Sequence, residues 1–176
     1  MINIKCDDDF LKKNIIDLFE QRDFFLSLHF NDQYFFTIFI VKSENYLEFS
    51  INDEKIKFNL PKSFNEIFEN VFNKISNIPI VIKDNHYYPF KQLIKKKHSN
   101  AFLTNIQNTI MCNLLLNSEK GIKKIDLIRT VWPNDKEIFL NKLDTHLTNL
   151  KKNLSNDIGY DLKFSSKSGI IKLAID

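Results

Sequence analysis

The chain opens with apolar and polar residues in alternation, from Met1 to Cys6, a pattern that predicts a short strand. The period then lengthens. Phe10, Leu11, Ile15, Leu18 and Phe19 recur at helical spacing and predict a helix to about Arg22. Asp7, Asp8 or Asp9 can cap it, because a carboxylate there accepts orphan backbone N–H groups at the positive end of the helix dipole. From Phe24 to Leu60 the runs FFLSLHF, YFFTIFIV, YLEFSI and KIKFNL are aromatic and β-branched, and NDQ, KSEN and NDE between them carry turn chemistry. Connections this short predict antiparallel hairpins. Pro61 stops the last of these strands. Ser63, with Glu66 three residues on, predicts a capping box. Phe64, Ile67, Phe68, Val71, Phe72 and Ile75 then give a helix with a wide apolar stripe, ending near Asn77. Residues 1–77 are therefore read as a first domain.

Residues 78–176 follow a different order. IPIVIKDNHYYPF predicts a hairpin turning at Asp84-Asn85, KQLIKK a short strand and HSN a turn. Thr104 caps a helix whose inward residues are Ile106, Ile110, Met111, Leu114 and Leu115, with Gly121 past its end. A further helix covers about Lys124 to Val131, with Ile125, Leu127, Ile128 and Val131 apolar, and Pro133 marks its stop. A last helix carries LDTHLTNLKKNL. The chain closes with YDLKF and IIKLAI, a hairpin with Gly169 in its turn. Strands, three helices and a terminal hairpin are the layout of a winged helix-turn-helix.

The last helix has two distinct sides. Leu140, Leu143, Leu147, Leu150 and Leu154 fall within about 80° of a helical wheel. The opposite arc holds Asn141, Lys142, Thr145, Thr148, Asn149 and Lys152, and no carboxylate. An arc of this kind is either an ordinary solvated face or a surface for the DNA major groove. In the groove Asn pairs a donor and an acceptor with adenine, Thr offers a hydroxyl and a methyl, and Lys reaches guanine or phosphate.

Charge favours the second use. Residues 1–77 hold nine Lys/Arg against thirteen Asp/Glu, a net of −4, while residues 78–176 hold sixteen against nine, a net of +7. Only the second half is suited to a polyanion. Overall, 43% hydrophobic and 27% charged residues describe a soluble globular chain. Two cysteines supply no disulfide framework and point to a reducing, cytoplasmic compartment. No signal peptide is legible, and the longest apolar run is too short to span a bilayer as a helix. His29, His86, His98 and His146 are scattered, no His/Cys spacing suits zinc, and no Gly-rich phosphate loop or nucleophile elbow is present. Cys112 falls in an apolar helix and is read as core. No enzyme chemistry, phosphoacceptor, cofactor or metal is expected.

FLTNIQNTIMCNLLLNSEKGIKKIDLIRTVWPND, LDTHLTNLKKNL and IIKLAI together resemble the C-terminal effector domain of OmpR/PhoB-type response regulators. The matching places are Leu103-Thr104, Leu127 to Val131-Trp132, and Leu143-Asp144-Thr145-His146-Leu147 with Leu150, Lys151 and Leu154. The resemblance covers about residues 78–176. It implies promoter DNA as partner and a homodimer, with RNA polymerase a further candidate. It also implies a long helix (140–154) in the major groove and a wing (160–175) in the minor groove. Carried over by position, Asn141, Lys142, Thr145, Thr148, Asn149 and Lys152 become helix contacts, and Lys167 and Ser168 wing contacts. Trp132 and His146 are assigned to packing. Family members commonly carry arginine where Thr148 and Asn149 stand, so phosphate anchoring is weakened or the bases read shift toward A·T pairs.

The first half resembles a receiver domain in fragments, INIKCDDDFLKKNIIDLFE at its start and FNLPKSFNEIFENVF at its end. The interval is too short for a full receiver. YFFTIFIV runs into Val41 and Lys42 with no acceptor aspartate, and Leu60 stands where the lysine before the proline belongs. The expected architecture is thus a small degenerate receiver-like α/β domain followed by a winged helix-turn-helix domain. The expected function is phosphorylation-independent, sequence-specific regulation of transcription. An adaptor or dimerisation module that has lost DNA binding is the alternative.

Overall fold

The computed structural model describes residues 2–21, 34–135 and 140–174, and the chain divides into two units, Met1–Ile78 and Pro79–Asp176. The run FFLSLHF, read above as a strand, and the predicted turn after it lie outside the described residues.

In the first unit β1 (Ile2–Cys6) leads through α1 (Asp9–Glu20) to β2 (Phe36–Lys42), and these two strands pair in parallel with Ile4 opposite Ile38. The hairpin strands β3 (Tyr46–Ile51) and β4 (Glu54–Asn59) extend the sheet antiparallel, in the order β1-β2-β3-β4, and α2 (Phe64–Ser76) follows. The parallel α/β character is therefore confined to the opening β–α–β, and an antiparallel meander completes the sheet. Ile4, Ile38, Ile40, Phe49 and Phe58 are buried on one side of the pleat. The rings of Phe19 in α1 and Phe68 in α2 meet edge-on at 5.0 Å, so the two helices form one layer.

The caps differ from expectation in an instructive way. Asp8 is the cap of α1, its carboxylate accepting from the Leu11 N–H at 2.8 Å and from the Lys42 ammonium at 2.5 Å. Both bonds hold the Asp8 carboxyl below its ordinary range, the lysine more than the helix N–H. Ser63 makes no side-chain cap bond, and the Glu66 carboxylate that would complete the box lies 2.9 Å from the Lys62 ammonium instead. The capping box forms at Thr104, whose hydroxyl accepts from the Gln107 N–H while the Gln107 side chain accepts from the Thr104 N–H. Phe10, expected inside, is 79% exposed, since it sits one residue off the Leu11, Ile15, Phe19 stripe.

The second unit begins with a four-stranded antiparallel sheet, β5 (Ile80–Ile82), β6 (Asn85–Tyr88), β7 (Leu93–Lys96) and β8 (Ser99–Phe102), in sequence order. The predicted HSN turn is only partly a turn, because Ser99 and Asn100 already belong to β8. Helix α3 (Asn105–Leu116) docks through a buried polar group: the Tyr87 hydroxyl lies 2.5 Å from Asn108 Oδ1 and 2.9 Å from Cys112 Sγ, and Asn108 donates to Pro89 O. Burial pushes the Cys112 thiol up to about 12, which fits a packed core residue.

After α3 come β9 (Ile122–Lys123), α4 (Lys124–Val131), α5 (Leu140–Ile158) and the hairpin β10 (Phe164–Lys167) with β11 (Ile170–Leu173). The three strands form one sheet in the order β10-β11-β9. This is a winged helix-turn-helix. β9 is too short to announce itself by periodicity; it exists because Ile122 pairs with Ile171. Gly121 makes the approach possible, since a Cβ there would stand 2.6 Å from the Ile170 side chain, and its φ of +77° suits glycine.

Candidate nucleic-acid interface

Helix α5 is seated by Leu143, Leu147, Leu150, Leu154 and Ile158, all buried. Burying side chains of this size stabilises the helix position by about 1.5–3 kcal/mol each. Two expectations shift. Leu140 is 50% exposed, beyond the edge of the core, and Ile158 continues the seam one turn past Leu154. The helix then stops at Gly159, which takes φ +61°. Ile125 of α4, also expected inside, is 38% exposed; it follows the first residue of a short helix, ahead of the buried Leu127, Ile128 and Val131.

The predicted contact residues separate into two groups. Asn141, Thr145, Thr148, Asn149 and Lys152 are exposed together on the outer arc. The longer helix adds Ser155 and Asn156 to the same arc, which reading the helix to Leu154 missed. Continuing the four-residue apolar spacing to Ile158 is the sequence signal for them. Thr145 and Thr148 turn their hydroxyls inward, donating at 2.9 Å to Asn141 O and Asp144 O respectively.

Lys142 belongs to the flank. Its ammonium lies 2.7 Å from the Asp135 carboxylate and 4.4 Å from the centre of the Trp132 ring, whose other neighbour is the His146 ring at 5.3 Å. Trp132 and His146 thus pack against each other. Burial, and secondarily the Lys142 charge, hold His146 below the ordinary histidine range. Asn153 completes this flank by donating to Phe102 O of β8 at 3.0 Å.

On the opposite flank one lysine joins three elements. The Lys124 N–H donates to Gly169 O in the wing turn at 2.8 Å, and its ammonium reaches Asp144 Oδ1 at 2.7 Å. Asp144, the carboxylate nearest the arc, is thereby neutralised. Lys151 lies over the Phe164 ring of β10, 4.9 Å from its centre. Sequence reasoning had no access to Lys124, whose partners lie 20 and 45 positions away. The wing turn holds Ser168 at φ +51° and Gly169 at +75°, the paired left-handed conformation of a two-residue hairpin turn. Lys167 and Ser168 are exposed at this tip, and Ser165 and Ser166 are exposed beside them.

No family model and no curated protein matches the chain. Among solved structures it is similar to the DNA-binding domain of E. coli CadC, at 14% identity and a TM-score of 0.49 over 57% of this chain and 95% of that one. A second likeness is to the C-terminal domain of the nisin resistance regulator NsrR, a lantibiotic response regulator, at 26% identity and a TM-score of 0.39 over 47% and 84%. A third is to a mutant of RitR, at 14% identity and a TM-score of 0.45 over 66% of this chain and 55% of that one. No described helix is long and apolar enough to cross a membrane.

Proposed function

We propose that the chain is a sequence-specific DNA-binding transcriptional regulator, working in the cytoplasm as a homodimer. Helix α5 enters the major groove and the β10–β11 wing the minor groove. The observation that carries this reading is the outer arc of α5, a carboxylate-free stripe of exposed Asn, Thr and Lys beside an exposed wing tip bearing Lys167. The +7 charge of residues 78–176 supplies the long-range attraction. Input through the first unit is taken to be independent of aspartyl phosphorylation, a reading supported by β2 ending in Val41 and Lys42 with no acceptor aspartate and by Leu60 standing where the lysine before Pro61 belongs.

Binding to labelled duplexes at a series of salt concentrations tests the proposal. The expected result is affinity that falls steeply with salt, with a slope of about −0.9 per neutralised phosphate. An absence of duplex binding at low salt overturns it. The adaptor reading draws on one observation: Lys124, Lys142 and Lys151, which surround the arc, are all engaged within the chain. Recovery of protein partners after nuclease treatment, together with failure to bind duplex, favours that reading.

A further inference from the structure

We infer that the outer arc of α5 reads A·T pairs. Thr145 and Thr148 contact the thymine 5-methyl group, and Asn141, Asn149 and Asn156 contact adenine. The inference rests on the DNA-binding reading above and assigns it a substrate class.

Four observations carry it. First, both threonine hydroxyls are spent on their own helix, each donating to the carbonyl four residues back. The methyl is then the group each threonine presents outward, and thymine is the base that offers a methyl in the major groove. Second, the amides of Asn141, Asn149 and Asn156 have no hydrogen-bond partner among the described residues, whereas Asn153 on the flank is bonded to Phe102 O. A free carboxamide pairs with adenine N6 and N7 in bidentate fashion. Third, guanine and cytosine have little to meet. Guanine is read by arginine or an unengaged lysine, and α5 contains no arginine. Lys142 is held by Asp135 and Trp132 and Lys151 by Phe164, leaving Lys152 as the one helix lysine without a partner among the described residues. Cytosine is read by a carboxylate, and the arc has none. Fourth, the wing tip offers the single cation Lys167, and the narrow minor groove of an A·T tract is where a lone cation gains most.

The experiment uses the full chain in two steps. Selection from a random duplex pool comes first, and is expected to return sites whose core is A·T. Deoxyuracil then replaces thymine at each core position, which removes the methyl and leaves base pairing intact. At the contacted thymines affinity should fall about fourfold per buried methyl. Thr145→Ser and Thr148→Ser keep the hydroxyl bond to the helix and lose the methyl, so each should abolish the difference between thymine and uracil at one position. Unchanged circular dichroism shows that the variants fold. A G·C core, no preference, or indifference to uracil overturns this inference while leaving DNA binding intact. Retention of no duplex at all overturns both.

Discussion

Asn149 and Asn153 stand one turn apart on α5, yet they do different work. Asn153 faces the flank and donates to Phe102 O of β8; Asn149 faces outward and has no partner among the described residues. The lysines repeat the contrast. Lys142 is clamped between Asp135 and Trp132, while Lys152, ten residues on, is exposed and has no partner among the described residues. On the flanks polar side chains are structural fasteners that fix the helix to the turn, the sheet and the wing. On the outer arc the same residue types are left without partners among the described residues, and the proposed DNA contact rests on that availability together with their chemistry.

The largest expected effect lies beneath both regions. Leu150 is fully buried, so Leu150→Ala should cost about 2–5 kcal/mol of unfolding free energy. It should remove DNA binding only as the fold is lost; urea denaturation monitored beside duplex binding separates the two. The asparagine pair tests the contrast directly. Asn149→Ala should weaken binding by about 1–3 kcal/mol at one base pair and leave stability within about 0.5 kcal/mol. Asn153→Ala should do the reverse, costing about 1 kcal/mol of stability with affinity unchanged. Equal effects on both quantities would dissolve the distinction between flank and arc.

The lysines give a smaller version of this test. Lys152→Ala should lower affinity for all sequences alike and reduce the salt slope by about one. Lys142→Ala should leave the slope where it was and cost at most about 1 kcal/mol of stability, as for an exposed ion pair. A loss of slope in Lys142→Ala would place that residue in the interface after all. The smallest effect concerns His146. Its folded pKa is depressed, so the unfolded chain binds the proton more readily. The stability it contributes is present above the ordinary histidine pKa of about 6.5 and is lost as pH falls through the lower folded value. Urea midpoints at neutral and mildly acid pH should therefore differ less in His146→Gln than in the parent chain; an unchanged difference would show that other groups govern it.

Much of this region was legible in the chain because its signals are local. Leucines at spacings of three and four set the buried seam of α5, Thr104 set the start of α3, and Gly169 set the wing turn. The misreadings occur where local signals compete. Ser63 and Glu66 spell a capping box, but a neighbouring lysine takes the carboxylate. Phe10, Ile125 and Leu140 carry core-like side chains at positions the core does not reach.

By itself, then, the sequence determined the helices, the longer described strands and their order, most of the buried side of each helix and the acidic-to-basic change along the chain. All of these follow from backbone geometry over a few residues and from net charge. Only the tertiary structure decided which polar side chains are engaged and which are free. Lys124 meets Asp144 and Gly169, Asn153 meets Phe102, and Ile122 finds Ile171. Those contacts span tens of residues, and no local period encodes them. They form only when the packed helices and the wing bring distant groups within hydrogen-bonding distance.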